Sequence, residues 1–281
     1  MRTPLAPLPA ARTATAAPER QARAPRTEPP RITAVCLDID DTLIDFTGSA
    51  RKALHRLIGR DDMWAAWQRV TDEHHARAVA GEYDYDTMRR ARTKAFLADL
   101  GALVDDEAVA VLEDRRLAQM RGAWRLFPDT VPCLDWLRAA GLKIGAVTNA
   151  SGPHQRARLA DLGLGRFFDA VLSPAAIGAA KPDPQIFHAA CEHLGAPPEE
   201  TLHIGDRLDL DAHAARDAGL HGVWLDRPAP GGSCGGHRAD DPDPDVGVPV
   251  LDSLADLPAL LVSEYRTPAV TSGSTVPDPR S

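Results

Sequence analysis

Four short apolar runs, far apart in the chain, each lead into polar side chains that can carry out chemistry. The runs lie in residues 35–41, 144–149, 179–183 and 202–211. In chain order, these segments supply Asp38, Asp40, Thr148, Asn149, Lys181, Asp206, Asp209 and Asp211. Continuous apolar runs are typical of buried parallel strands, and ligands bind such sheets beyond the carboxyl ends of the strands. We therefore expect these side chains to gather at one edge of a parallel sheet.

From residue 128 onwards, strand-like apolar runs alternate with helical patterns. Strands are predicted at residues 32–37, 144–147, 170–172, 202–204 and 222–225, with one more after residue 248. Helices are predicted between them, and Asp183 is placed to cap the helix that begins at Pro184. This alternation predicts an α/β fold, namely a Rossmann-like doubly wound parallel sheet with helices on both faces.

Residues 49–120 differ from the rest because their pattern is helical throughout. Four amphipathic stretches follow one another, and Asp105 or Asp106 can cap the last of them. We therefore predict an all-α cap of about four helices at residues 46–127, inserted into a discontinuous core at 31–45 and 128–262. Residues 1–30 are predicted to be a disordered arm, 263–281 a disordered tail, and 227–247 a flexible insertion into the core.

The overall composition limits the classes of partner. The net charge of −8 offers no basic footprint for nucleic acid, and no apolar stretch approaches the roughly 20 residues of a membrane-spanning helix. The first 30 residues lack the apolar segment of a secretory signal, and the four cysteines lack the spacing of a disulfide frame or a zinc site. We predict a cytoplasmic protein without nucleic-acid or membrane partners, whereas the oligomeric state is left open.

Three carboxylates at the predicted sheet edge suit phosphoryl transfer. Asp38, Asp40 and Asp206 form a hard, all-oxygen set of the kind that binds Mg²⁺. Asp38 would attack phosphorus and form an aspartyl-phosphate. Asp40, two residues further on, would protonate the leaving oxygen and later take a proton from the hydrolytic water.

The remaining polar residues suit binding of the phosphoryl group. Lys181 is one of only four lysines among 32 basic residues, which suggests that this position needs a compact ammonium group. Together with the backbone N–H groups around Thr148 and Asn149, it would hold phosphate oxygens. Asp211 either caps the next helix or supports the site, and Asp209 is predicted to be a solvated residue on a turn.

These motifs, in this order, make the chain resemble the haloacid dehalogenase superfamily of aspartate-nucleophile phosphatases. The motifs are Asp38-Ile39-Asp40-Asp41-Thr42-Leu43, Thr148-Asn149, Lys181-Pro182-Asp183-Pro184, and Gly205-Asp206 with Asp211. The resemblance covers residues 32–261 and implies that the helical block is a C1 cap. It also implies that Asp38 and Asp206 bind Mg²⁺ through their side chains and that Asp40 binds it through its carbonyl. By the same resemblance, Asp211 supports the site. Arg207 departs from the pattern, since relatives often have Ser or Thr there.

The resemblance implies a Mg²⁺-dependent phosphatase of a small phosphorylated metabolite, such as a sugar phosphate or a nucleoside monophosphate. A phosphomutase would share all four motifs, whereas a haloacid dehalogenase would not need an acid/base at Asp40. The non-enzymatic alternatives are a phosphorylatable receiver-like module and a catalytically silent binding protein. A receiver would lack the inserted helical domain, and a silent protein would be expected to have lost Asp38 or Lys181.

Overall fold

The computed structural model describes residues 28–150, 152–228 and 246–268, and its core is a single parallel sheet. In chain order the strands are β1 (Ala34–Leu37), β2 (Lys143–Val147), β3 (Ala170–Leu172), β4 (Thr201–Gly205), β5 (His221–Leu225) and β6 (Val250–Leu251). They pair in the order β3-β2-β1-β4-β5-β6. The predicted α/β fold with a parallel sheet is thus confirmed, and β1 lies between β2 and β4.

Helices cover both faces of this sheet and also form a separate cap. The cap helices are α1 (Phe46–Ile58), α2 (Trp64–Val79), α3 (Tyr85–Asp99) and α4 (Asp106–Arg121). The core helices are α5 (Thr130–Ala139), α6 (Gly152–Asp161), α7 (Pro174–Ile177), α8 (Pro184–Leu194), α9 (Ala214–Asp217) and α10 (Leu257–Glu264). Among the described helices, none combines the length and the apolar character of a membrane-spanning segment.

The apolar runs of the sequence are explained by burial on both faces of the sheet. Every residue of β1 and of β4 is buried. One apolar cluster packs Leu134 and Leu137 of α5 against the sheet, and another packs Phe187 of α8 against the opposite face. Strands covered on both sides cannot alternate apolar and polar residues, which is why the sequence shows continuous runs.

Local side-chain caps begin several helices where the sequence predicts them. Asp105 accepts a hydrogen bond from the backbone N–H of Ala108 and begins α4, and Asp183 caps α8 in the same way through Gln185. Both carboxylates satisfy backbone donors that have no partner within the helix. The four cap helices, α1 to α4, also lie where the helical pattern predicts them.

The cap joins the core through two linkers that run side by side. Ile44 of the first linker pairs with Leu126 of the second in an antiparallel bridge. The backbone N–H of Asp45 donates to the carbonyl of Arg125 at 3.0 Å. Their side chains also form an ion pair. This pairing holds the start of α1 and the end of the cap together above the carboxyl end of β1.

Two predicted boundaries differ from the structure. Arg227, predicted to begin a flexible insertion, is buried, and its guanidinium donates to both oxygens of Asp129 at 2.8 and 2.9 Å and to the carbonyl of Thr42 at 2.9 Å. The predicted tail begins too early, because α10 extends to Glu264 and the N–H of Arg266 donates to the carbonyl of Pro30. Sequence composition does not reveal these distant partners. The rest of the predicted arm, insertion and tail lies outside the described residues.

Candidate active site

The polar residues that follow the strands line one cavity of about 650 Å³ between the sheet edge and the cap. Asp38 comes directly after β1, Thr148 after β2 and Asp206 after β4. All of the residues proposed from the sequence for catalysis, phosphate binding, metal binding and support line this cavity: Asp38, Asp40, Thr148, Asn149, Lys181, Asp206 and Asp211. Asp209 does not, and it is exposed as predicted.

Lys181 lies at the centre of the buried polar groups. Its Nζ donates to Asp38 Oδ1 and to Asp211 Oδ1, each at 2.6 Å. Burial alone would lower the pKa of Lys181, but Asp211 and Asp38 outweigh it and raise the pKa. Asn149 holds the Lys181 backbone with two hydrogen bonds, from Nδ2 to the carbonyl at 2.9 Å and from the Lys181 N–H to Oδ1 at 2.7 Å. The side chain of Asn149 therefore positions Lys181.

Three carboxylates form an acidic cluster on the floor of the cavity. One oxygen from each of Asp38, Asp206 and Asp211 lies within 4.8 Å of the others. Burial raises the pKa of Asp38 to about 7 against the opposing effect of Lys181. Burial and the charge of Asp38 raise the pKa of Asp206 well above its usual value. One ammonium does not balance three buried carboxylates, and hard oxygen ligands in this number fit a divalent cation such as Mg²⁺.

The carboxylate of Asp211 turns towards this cluster, and its supporting role in the site stays a prediction. It lies in a π-helical turn, Leu208–His213, and its carboxylate accepts hydrogen bonds from Lys181, from His203 Nε2 at 2.9 Å and from the N–H of Arg207 at 3.1 Å. Burial alone would raise the pKa of Asp211, but Lys181 and His203 lower it. The carboxylate also explains Gly205, where a Cβ would lie 2.2 Å from the Asp211 carboxyl carbon.

The carboxylate of Asp40 is held by two residues of α6 that the sequence analysis missed. Gln155 Nε2 donates to Asp40 Oδ2 at 2.8 Å, and Arg158 Nη1 donates to Asp40 Oδ1. The Arg158 guanidinium lies over two aromatic rings. Its Cζ is 5.4 Å from the ring centroid of Phe46, at the start of α1, and 4.8 Å from that of Trp124, which follows α4. A polar pair three residues apart on a helix that follows Asn149 is the pattern that could have indicated them.

His203 is the other buried polar residue at the site that sequence reasoning missed. It lies on β4, fully buried, between the carboxylate of Asp211 and the ring of Phe187, whose centroid is 5.1 Å from its own. Burial lowers the pKa of His203, with Asp211 opposing the shift. A single histidine within an apolar strand gives no sequence pattern that would distinguish it from any other core residue.

Comparison with known proteins agrees with this geometry. The family described as haloacid dehalogenase-like hydrolase matches residues 32–219. The glyceraldehyde 3-phosphate phosphatase of Methanopyrus kandleri is 32% identical over 84% of this chain and 97% of its own length. The phosphoserine phosphatase of Thermus thermophilus is also 32% identical, over 68% of this chain and 72% of its own. The chain belongs to the haloacid dehalogenase-like hydrolase family.

Solved structures show the same fold. The L-2-haloacid dehalogenase of Xanthobacter autotrophicus superposes with a TM-score of 0.65 at 25% identity, covering 83% of this chain and 99% of that one. The predicted family, the α/β fold and the hydrolase class are therefore confirmed, and the relatives of matching length in the sequence comparison are named phosphatases.

Proposed function

We propose that the protein is a Mg²⁺-dependent phosphatase of small phosphorylated metabolites, with Asp38 as its nucleophile. The observation that carries this proposal is the buried Asp38 carboxylate beside Lys181 Nζ, within an acidic cluster that is short of positive charge. Such a cluster suits an anionic nucleophile that must approach an anionic phosphoryl group beside a bound cation. The phosphatase names of the relatives support the same reaction.

The residues of the site account for both halves of the reaction. Asp38 attacks phosphorus, the bond from phosphorus to the leaving oxygen breaks, and Asp40 gives that oxygen a proton. Asp40 then takes a proton from a water molecule that attacks the aspartyl-phosphate, which releases phosphate and restores Asp38. Gln155 and Arg158 donate to the two Asp40 oxygens and orient this carboxylate at the cavity.

The charged groups around the nucleophile are proposed to bind the metal ion and the phosphate oxygens. Asp38 and Asp206 would hold Mg²⁺ through their side chains and Asp40 through its carbonyl, while Asp211 holds Lys181. When bound, the cation offsets the repulsion between the nucleophilic carboxylate and the phosphoryl oxygens. Lys181 binds phosphate oxygens together with Thr148 and the backbone N–H of Asn149.

The cavity supports a small substrate. Helices α1 to α4 provide one of its walls, so a bulky phosphoprotein would not reach the floor. Glyceraldehyde 3-phosphate and phosphoserine, the substrates named for two relatives, are both small phosphate esters. They differ in that only phosphoserine carries a carboxylate. The substrates of these relatives therefore do not indicate whether the substrate of this protein has an acidic group besides its phosphate. Sugar phosphates and nucleoside monophosphates stay within the proposed class, and a cytoplasmic location stays a prediction.

Dehalogenation is the second candidate, because the structural neighbours include L-2-haloacid dehalogenases. That reaction needs a nucleophilic carboxylate but no acid/base at the position of Asp40. Here the Asp40 carboxylate accepts hydrogen bonds from Gln155 and Arg158 at the cavity. We therefore favour the phosphatase, and a phosphomutase is distinguished from it by whether inorganic phosphate is released.

Hydrolysis of p-nitrophenyl phosphate by the purified full-length protein tests the proposal. We expect Asp38→Asn to lower kcat by about a thousandfold or more, because it removes the nucleophile, and EDTA to abolish turnover until Mg²⁺ is restored. The exposed Asp209, in the same segment as Asp206, provides the control: Asp209→Asn should keep wild-type turnover and an unchanged circular dichroism spectrum. Turnover that survives Asp38→Asn, or that ignores EDTA, overturns the proposed mechanism.

A further inference from the structure

The wall of the cavity formed by the cap is basic, whereas its floor is acidic. Four cap arginines line the cavity: Arg89, Arg92, Arg116 and Arg121. Asp72 is the one carboxylate among the described cap residues that line it. The acidic cluster belongs to the part of the lining that the core provides. A ligand in this cavity would therefore meet a candidate cation site from the core and excess positive charge from the cap.

Two of these arginines share one buried carboxylate. Arg92 donates to Glu113 Oε1 at 2.9 Å, and Arg116 donates to the two Glu113 oxygens at 2.7 and 2.8 Å. Thr93 donates to Glu113 Oε2 at 2.8 Å. We call Arg92, Glu113 and Arg116 the cap cluster, and none of its side chains is more than 8% exposed. Two cations and one anion give the cap cluster a net positive charge.

Arg92 is the less satisfied of the two cations. Arg116 binds Glu113 with two hydrogen bonds, but Arg92 makes only one, and its buried Nε has no partner among the described residues. Its guanidinium lies over the ring of Trp67 at 4.3 Å, which holds it at the cavity. Burial and the charge of Arg116 lower the pKa of Arg92 to about 10. A buried charge without full compensation is costly, and a bound anion would offset that cost.

Tyr85 lines the cavity together with the cap arginines and Asp40. The Arg89 guanidinium lies over the Tyr85 ring at 5.5 Å. Asp38, Arg92 and Arg116 line one cavity of about 650 Å³, so a small molecule bound at the acidic cluster shares that cavity with the arginines.

We propose that Arg92 and Arg116 bind a second anionic group of the substrate, so that the preferred substrates are phosphate esters that also carry a carboxylate or a second phosphate. This inference rests on the proposed function, since it assumes that the first phosphoryl group is bound beside Asp38. Arginine suits the role because its planar donors bind carboxylate and phosphate in pairs.

Matched substrates test the proposal on the Mg²⁺-loaded protein. Phosphoglycolate, 2-hydroxyethyl phosphate and ethane-1,2-diol bisphosphate share a two-carbon skeleton and differ in the second group. 3-Phosphoglycerate, glycerol 3-phosphate and glycerol 1,3-bisphosphate form a three-carbon set. We expect at least one acidic member to exceed its neutral partner in kcat/KM by about tenfold or more, the effect of a charge-assisted hydrogen bond. Whether the carboxylate or the bisphosphate is favoured identifies the second group. No preference for an acidic member in either set overturns the proposal.

Variants assign the preference to the cap cluster. Arg92→Met removes the charge but keeps a long side chain over Trp67, and it should reduce the ratio between acidic and neutral substrates, mainly through KM. Arg90→Met on the same helix removes an exposed arginine and should leave the ratio unchanged. If Arg92→Met does not fold, Arg92→Lys, which keeps a charge beside Glu113 but lacks the paired donors of arginine, takes its place and should also reduce the ratio. A ratio that is unchanged in the folded variant contradicts the assignment.

Binding without turnover separates this proposal from the proposed function. The pair 3-phosphonopropionate and propylphosphonate cannot be hydrolysed, and titration calorimetry measures their Kd values directly. We expect the carboxylated member to bind more tightly to the wild type by about tenfold, and Arg92→Met to remove the difference. If the matched substrates favour the bisphosphate, propane-1,3-diyl bisphosphonate replaces the carboxylated member. Equal Kd values for the neutral phosphonate and the favoured anionic member overturn the cap proposal even if p-nitrophenyl phosphate is hydrolysed. Conversely, a wild type that fails to hydrolyse p-nitrophenyl phosphate contradicts the proposed function, whatever the calorimetry shows.

Discussion

The core and the cap each bury a small charged cluster, and the two clusters are built in opposite ways. In the core, Lys181 Nζ lies between Asp38 and Asp211, with Asp206 close by. In the cap, Glu113 lies between Arg92 and Arg116. The first arrangement has one cation among three carboxylates, and the second has one carboxylate between two cations.

This difference suggests what each half of the cavity is built to accept. Charges withdrawn from water are costly unless they are balanced, so an unbalanced cluster is stabilised by a ligand of the opposite sign. The balanced pair of Asp129 and Arg227 shows that the same fold can also pair charges one to one. The imbalance in the core suits Mg²⁺, and the imbalance in the cap suits an anion.

Removing the lone carboxylate of the cap cluster should have the largest effect on stability. Glu113→Gln leaves Arg92 and Arg116 facing each other in a buried setting, and we expect the free energy of unfolding to fall by about 3–5 kcal/mol. Thermal or urea unfolding followed by circular dichroism measures the change. The neighbouring Asp114 is exposed, and Asp114→Asn should change the stability by less than about 0.5 kcal/mol. Equal effects of the two substitutions would contradict a strained cap cluster.

Removing one carboxylate from the core should act in the opposite direction when no metal is present. Asp206→Asn reduces the excess negative charge, so the metal-free variant should be at least as stable as the wild type. Mg²⁺ at about a hundredfold excess over its Kd should stabilise the wild type by about 2.7 kcal/mol, and the variant should lose most of that gain. Differential scanning fluorimetry across a Mg²⁺ titration measures both effects, with Asp209→Asn as the control. A variant that responds to Mg²⁺ like the wild type would show that Asp206 is not a ligand.

Arg158, where core and cap meet, should affect turnover more than stability. Arg158→Gln removes the ion pair that orients Asp40, and we expect kcat to fall by roughly tenfold to a hundredfold while KM changes little. Arg158→Lys keeps the charge and should recover part of kcat. If Arg158 had only a structural role, kcat would not depend on whether the replacement carries a charge. Arg156→Gln, an exposed change on the same helix, is the control for steady-state kinetics. A change in KM alone would assign Arg158 to substrate binding instead.

A substitution in the balanced pair of Asp129 and Arg227 should have the smallest effect on the free energy of unfolding, and that effect should depend on pH more than the others do. Burial alone would raise the pKa of Asp129, but hydrogen bonds from Arg227 and Ser253 outweigh it and lower the pKa. A lowered pKa stabilises the fold above the unfolded value of about 3.9, and that stabilisation is lost as the pH falls through the folded value.

Asp129→Asn should therefore cost about 1–2 kcal/mol at pH 7, and its difference from the wild type should narrow below about pH 4. Unfolding curves between pH 3 and pH 8 measure the difference in stability between the variant and the wild type. Asp135→Asn, at an exposed position, is the control. A difference that grows as the pH falls would have the wrong sign.

Most of the fold and the set of candidate site residues could be predicted without coordinates. The strand positions agree within two residues for β1 to β5, and four cap helices occur where the helical pattern predicts them. Asp105 and Asp183 cap their helices because a carboxylate bonds the backbone N–H groups just ahead of it, which is a local effect. The roles of the individual site residues stay predictions, although all of them line one cavity.

Several contacts that the sequence did not reveal join distant parts of the chain. Gln155 and Arg158 reach Asp40 across 115 and 118 positions, and Arg227 reaches Asp129 across 98. Each of these side chains looks like an ordinary surface residue in a local window. Their burial follows from how the helices pack, which no short stretch of sequence specifies.

The sequence by itself determined the parallel sheet, the inserted helical block and the four motifs at one sheet edge. These features depend on apolar periodicity and on residues a few positions apart, whose energies are set locally. Only the tertiary structure decided which charged side chains form ion pairs. Lys181 pairs with two carboxylates, Arg158 pairs with Asp40, and Glu113 pairs with two arginines. The sign and strength of a buried charge depend on neighbours brought together by packing, and most of those neighbours are far apart along the chain.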